Sequence, residues 1–103
     1  MKKTVEVIGQ RMIIHVPKEL DHHTATPIRQ QTEEILRHQR IEEIEMDFQE
    51  TEFMDSSGIG MLMGRYRQIS RSGGQIYAVH TKERVKKILE LAGISKRIEI
   101  RGV

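Results

Sequence analysis

The segment from residue 55 to residue 74 constrains this chain more than any other. Ile59, Leu62, Met63, Tyr66 and Ile69 recur at i, i+3, i+4, i+7 and i+10, an apolar stripe along one side of a helix. Asp55-Ser56-Ser57-Gly58 stands directly before the stripe, so the helix starts near Ser56 or Ser57. Gly73-Gly74 stops it. A helix apolar on one side only must bury that side against another layer.

The remaining segments supply the layer. Thr4 to Ile8 alternates and is rich in β-branched residues, Gly9-Gln10 suits a tight turn, and Arg11 to Val16 completes a hairpin. Pro17 ends it, and Lys18 to His23 reads as a polar loop. Thr24 or Thr26 can cap a first helix, with Pro27 in its first turn and Ile28, Ile35 and Leu36 on one face. That helix ends at His38-Gln39-Arg40. Glu43 to Phe48 reads as a strand, Gln49 to Glu52 as a loop, and Gln75 to His80 as another strand. Thr81 can cap a third helix with Val85, Ile88, Leu89 and Ala92 buried and Gly93 just past its end. Ile98 to Ile100 suits a short edge strand. The order ββαβαβα(β) predicts an α/β fold: a mixed sheet with crossover helices.

Composition narrows the function classes. At 103 residues one domain, 1–103, is expected, with one modest core. Cys is absent, which excludes disulfides and thiolate metal sites and fits a cytoplasmic location. No apolar run approaches a membrane span, and the first residues lack the apolar core of a secretion signal. Seventeen Lys and Arg are interspersed with 15 Asp and Glu, and aromatics make up only 4%, so neither a basic patch nor a base-stacking platform points to nucleic acid.

Asp55-Ser56-Ser57-Gly58 has two readings. As a bare helix cap it satisfies orphan N–H groups and does nothing more. As a functional element it presents a hydroxyl at the positive end of a helix dipole, suited to carry a phosphate and to act as a contact surface, with Gly58 and Gly60 allowing close approach. Gly58-x-Gly60-x-x-x-Gly64 has neither the dinucleotide spacing nor the lysine of a P-loop, and Gly60 and Gly64 suit close helix packing instead. His15, His22, His23, His38 and His80 lack metal-ligand spacing and read as solvated, so no metal site is expected. Ser57, Asp55 and His22 could be drawn as a triad, but the G-x-S-x-G elbow is missing. Lys82, Arg84, Lys86 and Lys87 form the solvated side of the third helix.

Phe53-Met54-Asp55-Ser56-Ser57-Gly58-Ile59-Gly60, followed by Gly64-Arg65-Tyr66-Arg67-Gln68-Ile69, resembles the STAS domain of bacterial anti-sigma factor antagonists, and most of all the sporulation type. Glu19-Leu20-Asp21-His22-His23-Thr24-Ala25 resembles that group's loop before the first helix. Gly73-Gly74-Gln75-Ile76 and Leu89-Glu90-Leu91-Ala92-Gly93-Ile94 resemble its last strand and third helix. The chain departs from that pattern at Lys18 and Pro27. The resemblance implies a single STAS domain with helices mainly on one face of the sheet. It implies a binding protein rather than an enzyme, without cofactor, membrane or direct nucleic-acid contact. Its implied partners are an anti-sigma factor that is also a serine kinase, and a phosphoserine phosphatase. The unmodified form would bind the anti-sigma factor and release the sigma factor. Phosphorylation of Ser57, the serine before the glycine, would switch binding off. The implied partner surface comprises Asp21, His22, His23, Asp55, Ser56, Ser57, Gly58, Ile59 and Gly60. The alternatives are a STAS binding module of another stress-signalling complex and, from a different class, a small serine hydrolase or nucleotide-binding enzyme.

Overall fold

A computed structural model describes residues 3–102. Strands β1 (Val5–Ile8) and β2 (Arg11–His15) form an antiparallel hairpin, with Gly9 in the left-handed region at its turn. Then β3 (Glu19–Leu20), α1 (His22–His38), β4 (Glu43–Asp47), β5 (Phe53–Met54), α2 (Ser56–Arg71), β6 (Gln75–Val79), α3 (Glu83–Leu91), a 3-10 turn and β7 (Glu99–Ile100) follow. The main sheet runs β1-β2-β4-β6-β7, parallel except for the β1–β2 pair. It is the expected mixed sheet. The pair β3–β5 forms a second, two-stranded parallel sheet that periodicity did not foretell.

Strand alternation sorts the two faces. Val5, Met12, Ile14, Ile44, Met46, Ile76 and Ala78 share one buried cluster with Ile28, Leu62, Ile69, Val85 and Leu89 of the helices. The helices therefore cover that face. The other face carries Glu6, Arg11, His15, Glu45, Tyr77 and Arg101, and its buried Ile13 and Tyr77 lie outside the core cluster. Arg101 stacks on the Tyr77 ring at 4.3 Å, and long charged side chains take the place of a helical layer there. No helix among the described residues is long and apolar enough to cross a membrane.

Several sequence expectations need correction. The N-cap of α1 is Asp21, not Thr24 or Thr26, because Asp21 and Thr24 form a reciprocal capping box. Pro27 therefore lies in the second turn, inside the helix. The Thr81 hydroxyl bonds the Arg101 carbonyl instead of capping α3, whose N-cap Lys82 makes no side-chain cap. Ala92 is the exposed C-cap of α3, followed by Gly93 at φ 77°. Nothing lies within 4 Å of a Cβ built on Gly60 or Gly64, so neither serves close packing.

Candidate functional site

The site lies where β2, β4 and β6 end, because each of these parallel strands leads toward a helix N-terminus on the same edge. The β3–β5 ladder sets its geometry. Glu19 pairs with Phe53 and Leu20 with Met54, so the two residues that follow, Asp21 and Asp55, leave the ladder in register. The Asp55 N–H donates to the Leu20 carbonyl at 3.1 Å, and the Glu52 and Phe53 N–H groups donate to the Lys18 carbonyl. The fully buried Thr51 hydroxyl donates to the Val16 carbonyl at 3.0 Å. These bonds tie the chain before α1 to the chain before α2.

Both helices are capped by aspartate. Asp21 Oδ1 accepts the Thr24 N–H at 2.9 Å, and Thr24 Oγ1 accepts the Asp21 N–H at 3.0 Å. The Thr24 N–H holds the Asp21 carboxyl below its ordinary value, against the opposing effect of burial. Asp55 Oδ1 accepts the Ser57 N–H at 2.8 Å and the Gly58 N–H at 3.2 Å. The donors at the start of α2 that could have held a phosphate are thus largely taken by Asp55.

Gly58 is the close-packed member. A Cβ there would stand 2.6 Å from the Leu20 carbonyl oxygen and 2.9 Å from Leu20 Cγ. Gly58 is buried, so its part is to let the first turn of α2 sit against β3 rather than to admit a partner. Ser56 and Gly60 are exposed, and Ser57 and Ile59 are half-buried. His22 and His23 are exposed in the first turn of α1. Among the described residues no hydrogen bond joins a histidine to the Ser57 hydroxyl, and nothing resembling a triad is assembled. Gly58, Gly60 and Gly64 all lie within α2, where they cannot form a phosphate-cradling loop.

Two features escaped the sequence reading. Arg65 is 2% exposed, with Nη1 on Thr32 Oγ1 at 3.0 Å and Nη2 on Glu33 Oε2 at 3.1 Å. It locks α2 to α1 and so fixes the two capped ends relative to each other. The second is a polar cluster on the uncovered sheet face. His15, expected to be solvated, stands between Glu6 Oε2 at 2.5 Å and Asp47 Oδ2 at 3.2 Å, while His80 Nδ1 lies 3.0 Å from Asp47 Oδ1. Burial pushes the Asp47 carboxyl up, but the His80 contact, the Gln49 N–H and His15 outweigh it and leave it below its ordinary value. Among the described residues no group of three His, Asp or Glu side chains is placed to hold a metal ion.

The STAS domain family matches this sequence over residues 2–102. The chain belongs to that family. It is 34% identical over 89 residues to the anti-sigma F factor antagonist of Paenibacillus polymyxa, covering 86% of this chain and 76% of the relative. It is 27% identical over 93 residues to the anti-sigma-B factor antagonist of Listeria monocytogenes, covering 87% and 78%. The Bacillus cell fate determinant SpoIIAA in its phosphorylated form superposes with a TM-score of 0.76 at 25% identity, over 93% of this STAS domain and 87% of that chain.

Proposed function

We propose that this STAS domain is an anti-sigma factor antagonist whose binding is switched by phosphorylation of Ser57. In this reading the unmodified domain binds an anti-sigma factor that is also a serine kinase, and sigma factor is released. The kinase phosphorylates Ser57, binding is lost, and a phosphoserine phosphatase restores it. The domain works in the cytoplasm by binding, with no catalysis, cofactor or nucleic-acid contact of its own. The observation that carries the reading is the register of two aspartate-capped helix ends, with Ser57 in the first turn of one of them. The name of the Paenibacillus relative and the phosphorylated form of SpoIIAA support it.

The capping geometry favours a surface switch. A phosphate on Ser57 would add about −1.5 to −2 charges at pH 7 beside the Asp55 carboxylate. The Ser57 and Gly58 N–H groups already serve Asp55, so the phosphate must face solvent or the partner. Burying that added charge beside Asp55, in a complex whose cations already serve the carboxylates of the unmodified surface, is unfavourable. The test is intact-mass analysis after incubation with the cognate kinase and ATP. Wild type should gain one phosphate and Ser57→Ala none; undiminished phosphorylation of Ser57→Ala would overturn the assignment. Ser57→Asp should remain folded and lose most of its affinity for the kinase. The Listeria relative favours a second reading, the same switch in stress control. Binding to a sigma-B-type rather than a sigma-F-type anti-sigma factor would select it.

A further inference from the structure

We infer that Phe53 is the apolar anchor by which this domain engages its anti-sigma partner. The inference rests on the partner-binding function proposed above and adds to it a residue that the implied partner surface, Asp21 to His23 and Asp55 to Gly60, does not include. Phe53 is 48% exposed, whereas the other phenylalanine, Phe48, is fully buried. The strand β5 has only two residues, and Met54 points into the core at 3% exposure, so Phe53 must point away from it. The ladder to β3 is made by backbone atoms and asks nothing of the Phe53 side chain. Burying a phenylalanine ring is strongly favourable, and the isolated domain forgoes much of that gain at a position any polar residue could fill. The ring stands two residues before the Asp55 cap and four before Ser57, continuous with the proposed interface.

The surroundings define what would receive the ring. Glu19 stands beside Phe53 in register, and Glu52 precedes it, both exposed. Across residues 18–21 and 50–55 a single lysine, Lys18, meets five carboxylates, Glu19, Asp21, Glu50, Glu52 and Asp55, in a chain of net charge +2. The complementary surface is therefore an apolar pocket with cations on its rim. Aromatic side chains in such pockets carry a disproportionate share of binding energy.

The test is calorimetric titration of the purified cognate anti-sigma factor with wild type, Phe53→Ala, Phe53→Leu, and Ile8→Ala and Leu91→Ala as controls. Ile8 and Leu91 are exposed apolar residues, at 55% and 88%. Phe53→Ala should keep the wild-type melting temperature within a few degrees and weaken binding on the order of 30-fold. Phe53→Leu should lose less, and the controls should stay within about twofold of wild type. Wild-type affinity in Phe53→Ala would overturn the inference while leaving the switch at Ser57 intact. Equal losses in the controls would overturn it too. So would a homodimer, seen by sedimentation, that Phe53→Ala dissociates without changing affinity for the anti-sigma factor. A wild-type domain that does not bind the anti-sigma factor at all would overturn both the inference and the function on which it rests.

Discussion

Gly58→Ala and Gly60→Ala, two residues apart on one helix, should shift stability in opposite directions. In a helix interior alanine is favoured over glycine by about 0.5–1 kcal/mol. At Gly60 nothing lies within 4 Å of the new methyl, so that gain should appear in full. At Gly58 the methyl would meet the Leu20 carbonyl oxygen at 2.6 Å, where ordinary contact begins at 3.4 Å. The obstacle is backbone, and the same carbonyl accepts the Asp55 N–H, so it cannot retreat without loosening the β3–β5 ladder. Overpacking of this kind costs about 1–3 kcal/mol. Set against the propensity gain, Gly58→Ala should lose up to about 2 kcal/mol. For a domain of this size each 1 kcal/mol moves Tm by about 4–8 °C. Thermal melts followed by circular dichroism should therefore show Gly58→Ala falling by roughly 10 °C and Gly60→Ala rising by a few degrees. If Gly58→Ala were as stable as Gly60→Ala, the close approach of α2 to β3 would not exist in solution, and the argument for coupled caps would fail with it.

Other outcomes follow from the same geometry. Asp21→Ala should lower Tm because it removes a capping box, whereas Asp21→Asn keeps an acceptor for the Thr24 N–H and should melt close to wild type. If both variants keep their Tm yet lose partner affinity, Asp21 serves the interface through its charge alone. Asp47→Asn should cost about 1–2 kcal/mol at pH 7, read from urea midpoints. The folded Asp47 carboxyl titrates below its unfolded value of 3.8, so its contribution is present above about pH 4 and is lost as pH falls through the folded pKa. The gap between wild type and variant should accordingly narrow below pH 4, and a gap that widens there would contradict the assignment. Phosphorylation of Ser57 should shift amide resonances near Asp21 and from Asp55 to Gly60. Shifts spreading through β6 and α3 would indicate a conformational switch instead.

Regular periodicity made most of the fold legible. The alternation in β1 and β2, the stripe in α2 and the Gly93 stop after α3 each have a local cause that a sequence displays. The β3–β5 ladder had no such cause, since two-residue strands show no period and their pairing is purely backbone. The α1 cap was visible in principle, with Asp21 three residues before Thr24, but the polar run around it suggested a loop. Arg65 was hidden by its type. The α2 helix packs against α1 as well as the sheet, which widens its buried arc to include Gly58, Met61 and Arg65 beyond the expected stripe. A guanidinium in that arc is tolerable because α1 offers Thr32, Glu33 and the Arg29 carbonyl as partners. Those partners lie 32 to 36 residues away in sequence, where no local pattern reaches.

The site's chemistry follows from topology more than from any single residue. Parallel strands end on a common edge, and that edge gathers helix N-termini and their unpaired donors. In many α/β folds such an edge captures anionic ligands with those donors. Here the two helix ends nearest the β3–β5 ladder are already occupied by carboxylates of the chain itself, Asp21 and Asp55. Those two ends are thereby occupied as receptors for free anions. The edge becomes a rigid surface whose net charge depends on what is attached to it. In the proposed switch, a covalent phosphate on Ser57 would change that charge without competing for a binding pocket and without needing the core to move. A fold with helices on one face of its sheet and three parallel strands ending together can in this way act as a switch while its framework stays fixed.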